Sequence, residues 1–107
     1  MGHVSSVNIL IVEDEENIAL ALEAVIDKAF KCDRLSVANN GEEALQLLNE
    51  FDYDLIISDW NMPKMAGDQL LVEVRKESRT KHIPFILLTA RSDTYTVNVA
   101  LQVGDNE

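Results

Sequence analysis

The chain has 107 residues, of which 47% are hydrophobic and 26% are charged, a composition typical of one globular domain with a single core. Its 9 Lys and Arg against 19 Asp and Glu give a net charge of −10. Such a charge repels nucleic-acid phosphates and anionic lipid, so we expect neither nucleic acid nor membrane as a partner. Cys32 is the single cysteine, and no stretch resembles a signal peptide. We therefore expect a cytoplasmic protein.

The first predicted elements are a strand and a helix. We expect residues 1–6 to form a flexible tail and residues 7–107 to form the folded domain. Val7–Val12 is a nearly continuous apolar run, which is typical of a strand buried on both faces. From the acidic segment Glu13–Glu16 to about Phe30, apolar residues recur at helical spacing and predict an amphipathic helix.

The second predicted pair is a weaker strand over Leu35–Ala38 and a helix after an Asn-Asn-Gly turn. Asn40 with Glu43 three positions later has the spacing of a capping box, which marks the helix start. The helix would then bury Ala44, Leu47 and Leu48.

Two further strands are predicted in the second half of the chain. Leu55–Ser58 is apolar and runs into Asp59. The loop Trp60–Gly67 leads to a helix with an inward apolar face, and Phe85–Thr89 follows as another buried strand. Ser92–Val103 carries apolar residues at helical spacing and predicts a fourth helix. Strands alternating with helices predict an α/β fold with a doubly wound parallel sheet.

Chemically active side chains follow three of these strands. Glu13 and Asp14 end the first strand, Asp59 the third and Thr89 the fourth. Because parallel strands end at one edge of the sheet, we expect these residues to converge there. Carboxylates about 4 Å apart repel by roughly 4 kcal/mol at an effective dielectric near 20. Such a cluster favours Mg²⁺ and aspartyl-phosphate chemistry. The alternative is that the acids merely cap the helices that follow.

Three segments resemble a known family. Ile9–Glu15, Leu55–Gly67 and Pro84–Ala90 are similar to the opening strand, the phosphorylation-site strand and loop, and the switch strand of CheY-like receiver domains in two-component response regulators. The resemblance covers residues 7–104 and implies a flavodoxin-like sheet with strand order 2-1-3-4-5.

The resemblance also implies a role for each site residue. Asp59 would accept a phosphoryl group from a histidine kinase, and Thr89 with the Ala90 backbone N–H would contact that group. The implied Mg²⁺ ligands are Glu13, Asp14, Asp59 and, through its backbone carbonyl, Asn61. A downstream output domain or protein would be the second partner. The domain would assist its own phosphorylation and dephosphorylation without being a conventional enzyme.

The sequence departs from the family pattern at its end. Receiver domains continue into a fifth strand, which carries a lysine, and a fifth helix, whereas this sequence ends at Glu107. Lys64 and Lys81 stand at the wrong positions to replace that lysine. We therefore expect a domain truncated after the fourth βα unit, with Phe85–Thr89 as an open apolar edge. Two alternatives follow from this expectation. The chain is a piece cut from a longer regulator, or a second copy covers the edge in a strand-swapped or edge-paired homodimer.

Two other functions fit parts of the pattern. A pseudo-receiver that docks partners without phosphate is favoured by the missing lysine and disfavoured by the intact acidic set. A Mg²⁺-dependent phosphohydrolase of the haloacid-dehalogenase type would also use a strand-end aspartate. Those enzymes carry an Asp-x-Asp motif, and its second acid is replaced here by Asn61, so this interpretation ranks last.

Overall fold

The computed structural model describes residues 6–89 and 98–102. The predicted tail at residues 1–6 lies outside this range except for its last residue. The strands are β1 Val7–Val12, β2 Cys32–Ala38, β3 Leu55–Asp59, β4 Phe85–Thr89 and β5 Asn98–Gln102. The helices are α1 Glu16–Ala29, α2 Gly41–Glu50 and α3 Gly67–Lys76. Across the described residues, no helix combines the length and hydrophobicity needed to cross a bilayer.

All the strands form one sheet in the order β2-β1-β3-β4-β5. The first four strands are parallel, and β5 pairs with β4 in the antiparallel direction. This confirms the predicted α/β class and its flavodoxin-like parallel sheet. β2 begins at Cys32 and is longer than the predicted strand Leu35–Ala38. The prediction missed its first half because that part is polar, partly exposed and without a clear apolar pattern.

Helices cover both faces of the sheet, as the doubly wound topology requires. On one face, α2 and α3 pack over a core centred on Leu10, Ile56 and Phe85. On the other face, α1 contributes Ile26 to a smaller core with Ile9 and its neighbours. Since successive residues of a strand point to opposite faces, the central strands contribute to both cores. Their continuous hydrophobicity follows from this double burial.

The start of α2 follows the predicted capping pattern with one difference. The Asn40 side chain accepts a hydrogen bond from the Glu43 backbone N–H at 2.9 Å. The Glu43 carboxylate reaches back to the N–H of Asn39, one residue before the cap, at 2.6 Å. Both bonds occupy donors that a helix start leaves free, so they fix where α2 begins and how the chain leaves β2.

The predicted helix at Ser92–Val103 is wrong where the structure describes it. Asn98–Gln102 is a strand whose register pairs Ala100 with Leu87 and Leu101 with Ile86. The rest of that predicted helix lies outside the described residues.

The expected open edge on β4 is wrong for the same reason, since β5 pairs along its whole length. A short apolar run satisfies helical and strand patterns equally, and unpaired β4 backbone groups favour the strand. The expected homodimer therefore no longer follows from β4 and stays untested.

Candidate functional site

The acidic residues converge because β1 and β3 are parallel neighbours that end level. Val12 pairs with Ser58 in the register, so Glu13, the first residue after β1, lies beside Asp59, the last residue of β3. Asp14 follows directly on β1. One carboxylate oxygen from each of the three acids lies within 4.8 Å of the other two. The predicted convergence is thus confirmed for the three acids, which lie together at the carboxyl edge of the sheet.

Glu13 is the most buried member of this acidic triad, as we call Glu13, Asp14 and Asp59. Its side chain is only 3% exposed, and its carboxylate accepts a hydrogen bond from the Glu15 backbone N–H at 3.1 Å. Burial raises the pKa of Glu13 to about 7, the Glu15 N–H opposes this shift, and the charges on Asp59 and Asp14 add to it. The fold therefore buries the Glu13 carboxyl group beside two other acids, without a cationic side chain among the groups that shift its pKa.

Asp59 is half-buried between its two acidic neighbours. Burial raises its pKa above the ordinary value, the Asp14 charge adds to the shift, and the backbone N–H groups of Trp60 and Asn61 oppose it. The Trp60 N–H itself donates to the Leu88 carbonyl at 2.9 Å, which ties the chain after β3 to β4. Asp59 is thus a partly buried acid at the end of β3 that faces two other acids.

The loop after Asp59 is closed by a backbone hydrogen bond. The Gly67 N–H donates to the Trp60 carbonyl at 2.7 Å, and the start of α3 comes against the end of β3. A Cβ on Gly67 would collide with the Asp59 carbonyl oxygen and would lie 2.8 Å from Leu87 Cδ2. Gly67 is therefore required for a close approach, which the sequence analysis did not assign to it.

The structure describes only some of the other residues that the sequence singles out. Thr89 ends β4, and its backbone pairs with Asn98. Ala90 lies outside the described residues, so its implied contact with a phosphoryl group stays a prediction. Lys64 and Lys81 are exposed, and neither contributes to the shifted pKa of Glu13 or Asp59. Within the described residues, no lysine or arginine is among the groups that shift these two pKa values.

The triad fits a small divalent cation. Two carboxylates at 4.8 Å repel by roughly 3.5 kcal/mol at an effective dielectric near 20, and the raised pKa values of Glu13 and Asp59 have this repulsion as one cause. Hard oxygen ligands with one exposed side favour Mg²⁺, which keeps several waters and uses few protein carboxylates. The donor set of these residues therefore suits Mg²⁺ with room for a phosphate oxygen.

A doubly wound parallel sheet with acids at its carboxyl edge defines a class of α/β proteins that bind metal or phosphate at that edge. The family model of the response regulator receiver domain matches residues 9–107. The probable chemotaxis protein CheY of Rhizobium etli is 37% identical over 107 residues, which cover 99% of this chain and 81% of that protein. The chain belongs to the response regulator receiver domain family.

Two further comparisons widen this likeness. The probable transcriptional regulator ycf29 of Porphyra purpurea is 42% identical over 90 residues, covering 83% of this chain. The match spans only 42% of that longer relative. The response regulator TrrA from Thermotoga maritima, solved in complex with Mg²⁺-BeF, is 38% identical with a TM-score of 0.70. That match covers 79% of this chain and 70% of TrrA.

Family membership establishes the general role. The chain is a receiver domain of two-component response regulators, a family in which an aspartate accepts the phosphoryl group. Receiver domains bind Mg²⁺ at an acidic pocket, and this chain has a Glu-Asp-Asp cluster at the matching edge. Receiver domains interact with histidine kinases and output domains, and the relatives of this chain include transcriptional regulators.

Proposed function

We propose that this receiver domain accepts a phosphoryl group from a histidine kinase on Asp59, with Mg²⁺ bound beside it. The observation that carries the proposal is the convergence of three carboxylates within 4.8 Å at the end of β1 and β3. Asp59 is the suitable acceptor because it is half-buried at the end of β3, beside both acids that follow β1. Glu13 is nearly inaccessible and Asp14 is exposed, which suits them to holding the cation.

The chain's residues have distinct tasks in this proposal. The residues that would hold the cation are Glu13, Asp14, Asp59 and, through its backbone carbonyl, Asn61, and we expect Glu13 to act through a water. An Asp59 carboxylate oxygen forms the new bond to phosphorus while the phosphorus–nitrogen bond of a phosphohistidine breaks. The electron pair returns to the kinase imidazole, which takes up a proton. When bound, Mg²⁺ neutralises the phosphoryl oxygens.

The switch residues extend the proposal beyond the acids. The Thr89 hydroxyl and the Ala90 N–H are the groups we expect to contact the phosphoryl group on Asp59, because β4 lies next to β3 and Thr89 is its last residue. A change at β4 would then reach the output domain or protein. In the pseudo-receiver alternative the same surface would bind its partner without phosphate.

Mg²⁺ binding has a built-in reporter. Trp60 is the single tryptophan of the chain, follows Asp59 and is 37% exposed. We expect Mg²⁺ to quench its fluorescence in a saturable way, and Asp59→Asn to weaken that response. Asp33→Asn, an exposed acid on β2 at the other edge of the sheet, is the matched control and should titrate like the wild type. A flat titration into the millimolar range would remove the metal site.

Phosphorylation is tested with acetyl phosphate, a small phosphoryl donor that replaces the kinase. Intact mass spectrometry should show one added phosphoryl group in the wild type and in Asp33→Asn, and none in Asp59→Asn. Incorporation that persists in Asp59→Asn would mean that the acceptor is another residue. Mg²⁺ binding without any incorporation would favour the pseudo-receiver function.

A further inference from the structure

The loop that carries Asn61 packs tightly against the start of α2. Gly41 is the first residue of α2 and is buried, and Met65 of the loop lies directly over it. A Cβ built on Gly41 would be 2.7 Å from Met65 Cβ and 2.8 Å from both its Cγ and Sδ. Contacts this short do not occur between real side chains, so the absence of a side chain at position 41 is what gives Met65 its place.

The backbone just before Met65 has an unusual conformation. The Met65 N–H donates to the Pro63 carbonyl at 2.7 Å, which makes a three-residue turn centred on Lys64. Lys64 has a φ of 71°, a value that lies in the left-handed region and is unfavourable for a residue with a Cβ. The half-buried Met65 side chain packs against the core under α2 and α3. This packing offsets the strain at Lys64.

A methyl group on Gly41 would have to move the loop backbone. The nearest atom is Met65 Cβ, which is bonded directly to the main chain, so a rotation of the side chain does not relieve the overlap. The other end of the loop is tied by the Gly67-to-Trp60 hydrogen bond. A displacement at Met65 is therefore transmitted into the short segment between these points, which contains Asn61.

We propose that Gly41 is a positioning residue for the metal site. It acts through Met65 to set the height of the β3–α3 loop, and thereby the Asn61 carbonyl, relative to the acidic triad. The inference rests on the proposed function, because it assigns a distant residue a role in the same Mg²⁺ site. Gly41 lies on α2, outside the strands that carry the acids.

The test is the Mg²⁺ affinity of Gly41→Ala, read from Trp60 fluorescence. We expect the dissociation constant to rise roughly tenfold, as for substitutions that disturb the supporting groups of a metal site. Thermal unfolding followed by circular dichroism is measured in parallel. Alanine favours a helix over glycine, so reduced affinity in a folded variant would separate positioning from general destabilisation. Gln46→Ala, an exposed change within α2, is the control and should leave the affinity unchanged.

Removal of the opposing side chain provides a rescue. Met65→Gly deletes the three atoms nearest to the new methyl group, all of which lie within 3 Å of it, so adding Gly41→Ala to this variant should cause no further loss of affinity. If Gly41→Ala does not fold, Met65→Gly alone carries the test, because the unsupported loop should bind Mg²⁺ more weakly than the wild type.

Each outcome bears on the inference. An unchanged affinity in folded Gly41→Ala, or an equal loss with and without Met65, would overturn the positioning role while leaving the metal site intact. Absence of Mg²⁺ binding by the wild type would instead remove the proposed function, and the positioning role with it. A loss that occurs only in the presence of Met65 would support the inference.

Discussion

Neutralising Asp59 should stabilise the metal-free domain even though it removes the proposed phosphoacceptor. Asp59 lies within 4.8 Å of the carboxylates of Glu13 and Asp14. A fully charged pair at that separation repels by roughly 3.5 kcal/mol at an effective dielectric near 20. Exposure of Asp14 screens part of this repulsion, and at neutral pH Glu13 is only partly ionised because its pKa is raised to about 7. We expect a net gain of about 1–2 kcal/mol for Asp59→Asn at neutral pH.

Urea unfolding in EDTA measures this gain. With a slope near 1.5 kcal/mol per molar urea, a gain of 1.5 kcal/mol moves the midpoint upward by about 1 M. The raised pKa of Asp59 also predicts that Asp59→Asn stabilises the metal-free domain at neutral pH. A raised pKa means that the folded chain disfavours the ionised form, and this destabilisation is present above the folded pKa and disappears as the pH falls below the ordinary pKa of an aspartate.

Added Mg²⁺ should reduce or reverse the difference in urea midpoint between Asp59→Asn and the wild type. A cation bound only to the folded wild type adds about 2.7 kcal/mol when its concentration is a hundred times the dissociation constant. Asp59→Asn lacks one ligand and should gain less, so the difference in midpoint should shrink or change sign. Asp33→Asn should follow the wild type in both conditions. A lower midpoint for Asp59→Asn in EDTA would refute the account of the triad as a cluster of uncompensated charge.

Three stability predictions concern the framework around the site, each read from urea midpoints. Lys64→Gly should stabilise by about 0.5–1 kcal/mol because glycine adopts a positive φ without strain, whereas the exposed Lys81→Gly should not stabilise. Asn40→Ala should destabilise by about 1 kcal/mol through loss of the α2 cap, and an unchanged midpoint would contradict that role. Phe85→Ala should destabilise by about 3–5 kcal/mol because the ring is fully buried, while the exposed Val72→Ala should stay within about 0.5 kcal/mol.

The sheet and the convergence of the three acids were predictable because each depends on a strong local pattern. Val7–Val12 and Leu55–Asp59 are short apolar runs that end abruptly in acids, and such runs become parallel strands once helices separate them. The direction of the strands then fixes which side chains meet. The convergence of Glu13 with Asp59 therefore needed no knowledge of the register, only of the common direction of β1 and β3.

The rest depended on tertiary contacts that leave no local pattern. Asn98–Gln102 has apolar residues at a spacing that fits a helix, and pairing with the free edge of β4 decides in favour of a strand. The collision that requires glycine at position 41 involves Met65, which is distant in sequence. The positive φ of Lys64 could not be predicted from the sequence either, because turns of this kind normally carry glycine or asparagine. Lys64 is tolerated only because its neighbours hold the turn.

The unfavourable features of the fold lie together at one end of the sheet. The carboxyl edge carries the buried Glu13 with its raised pKa and the loop with Lys64 at positive φ. At the opposite edge, Asn8 and Asp54 exchange two hydrogen bonds, at 2.8 Å and 2.6 Å, and buried polar groups are satisfied, as in Thr80, whose hydroxyl donates to the Val74 carbonyl at 2.7 Å. Strain and uncompensated charge persist only where the surrounding structure imposes them, and they are typical of functional sites. A cation bound at the triad would offset the repulsion between its carboxylates. The arrangement that destabilises the metal-free domain would therefore make the free energy of unfolding depend on Mg²⁺.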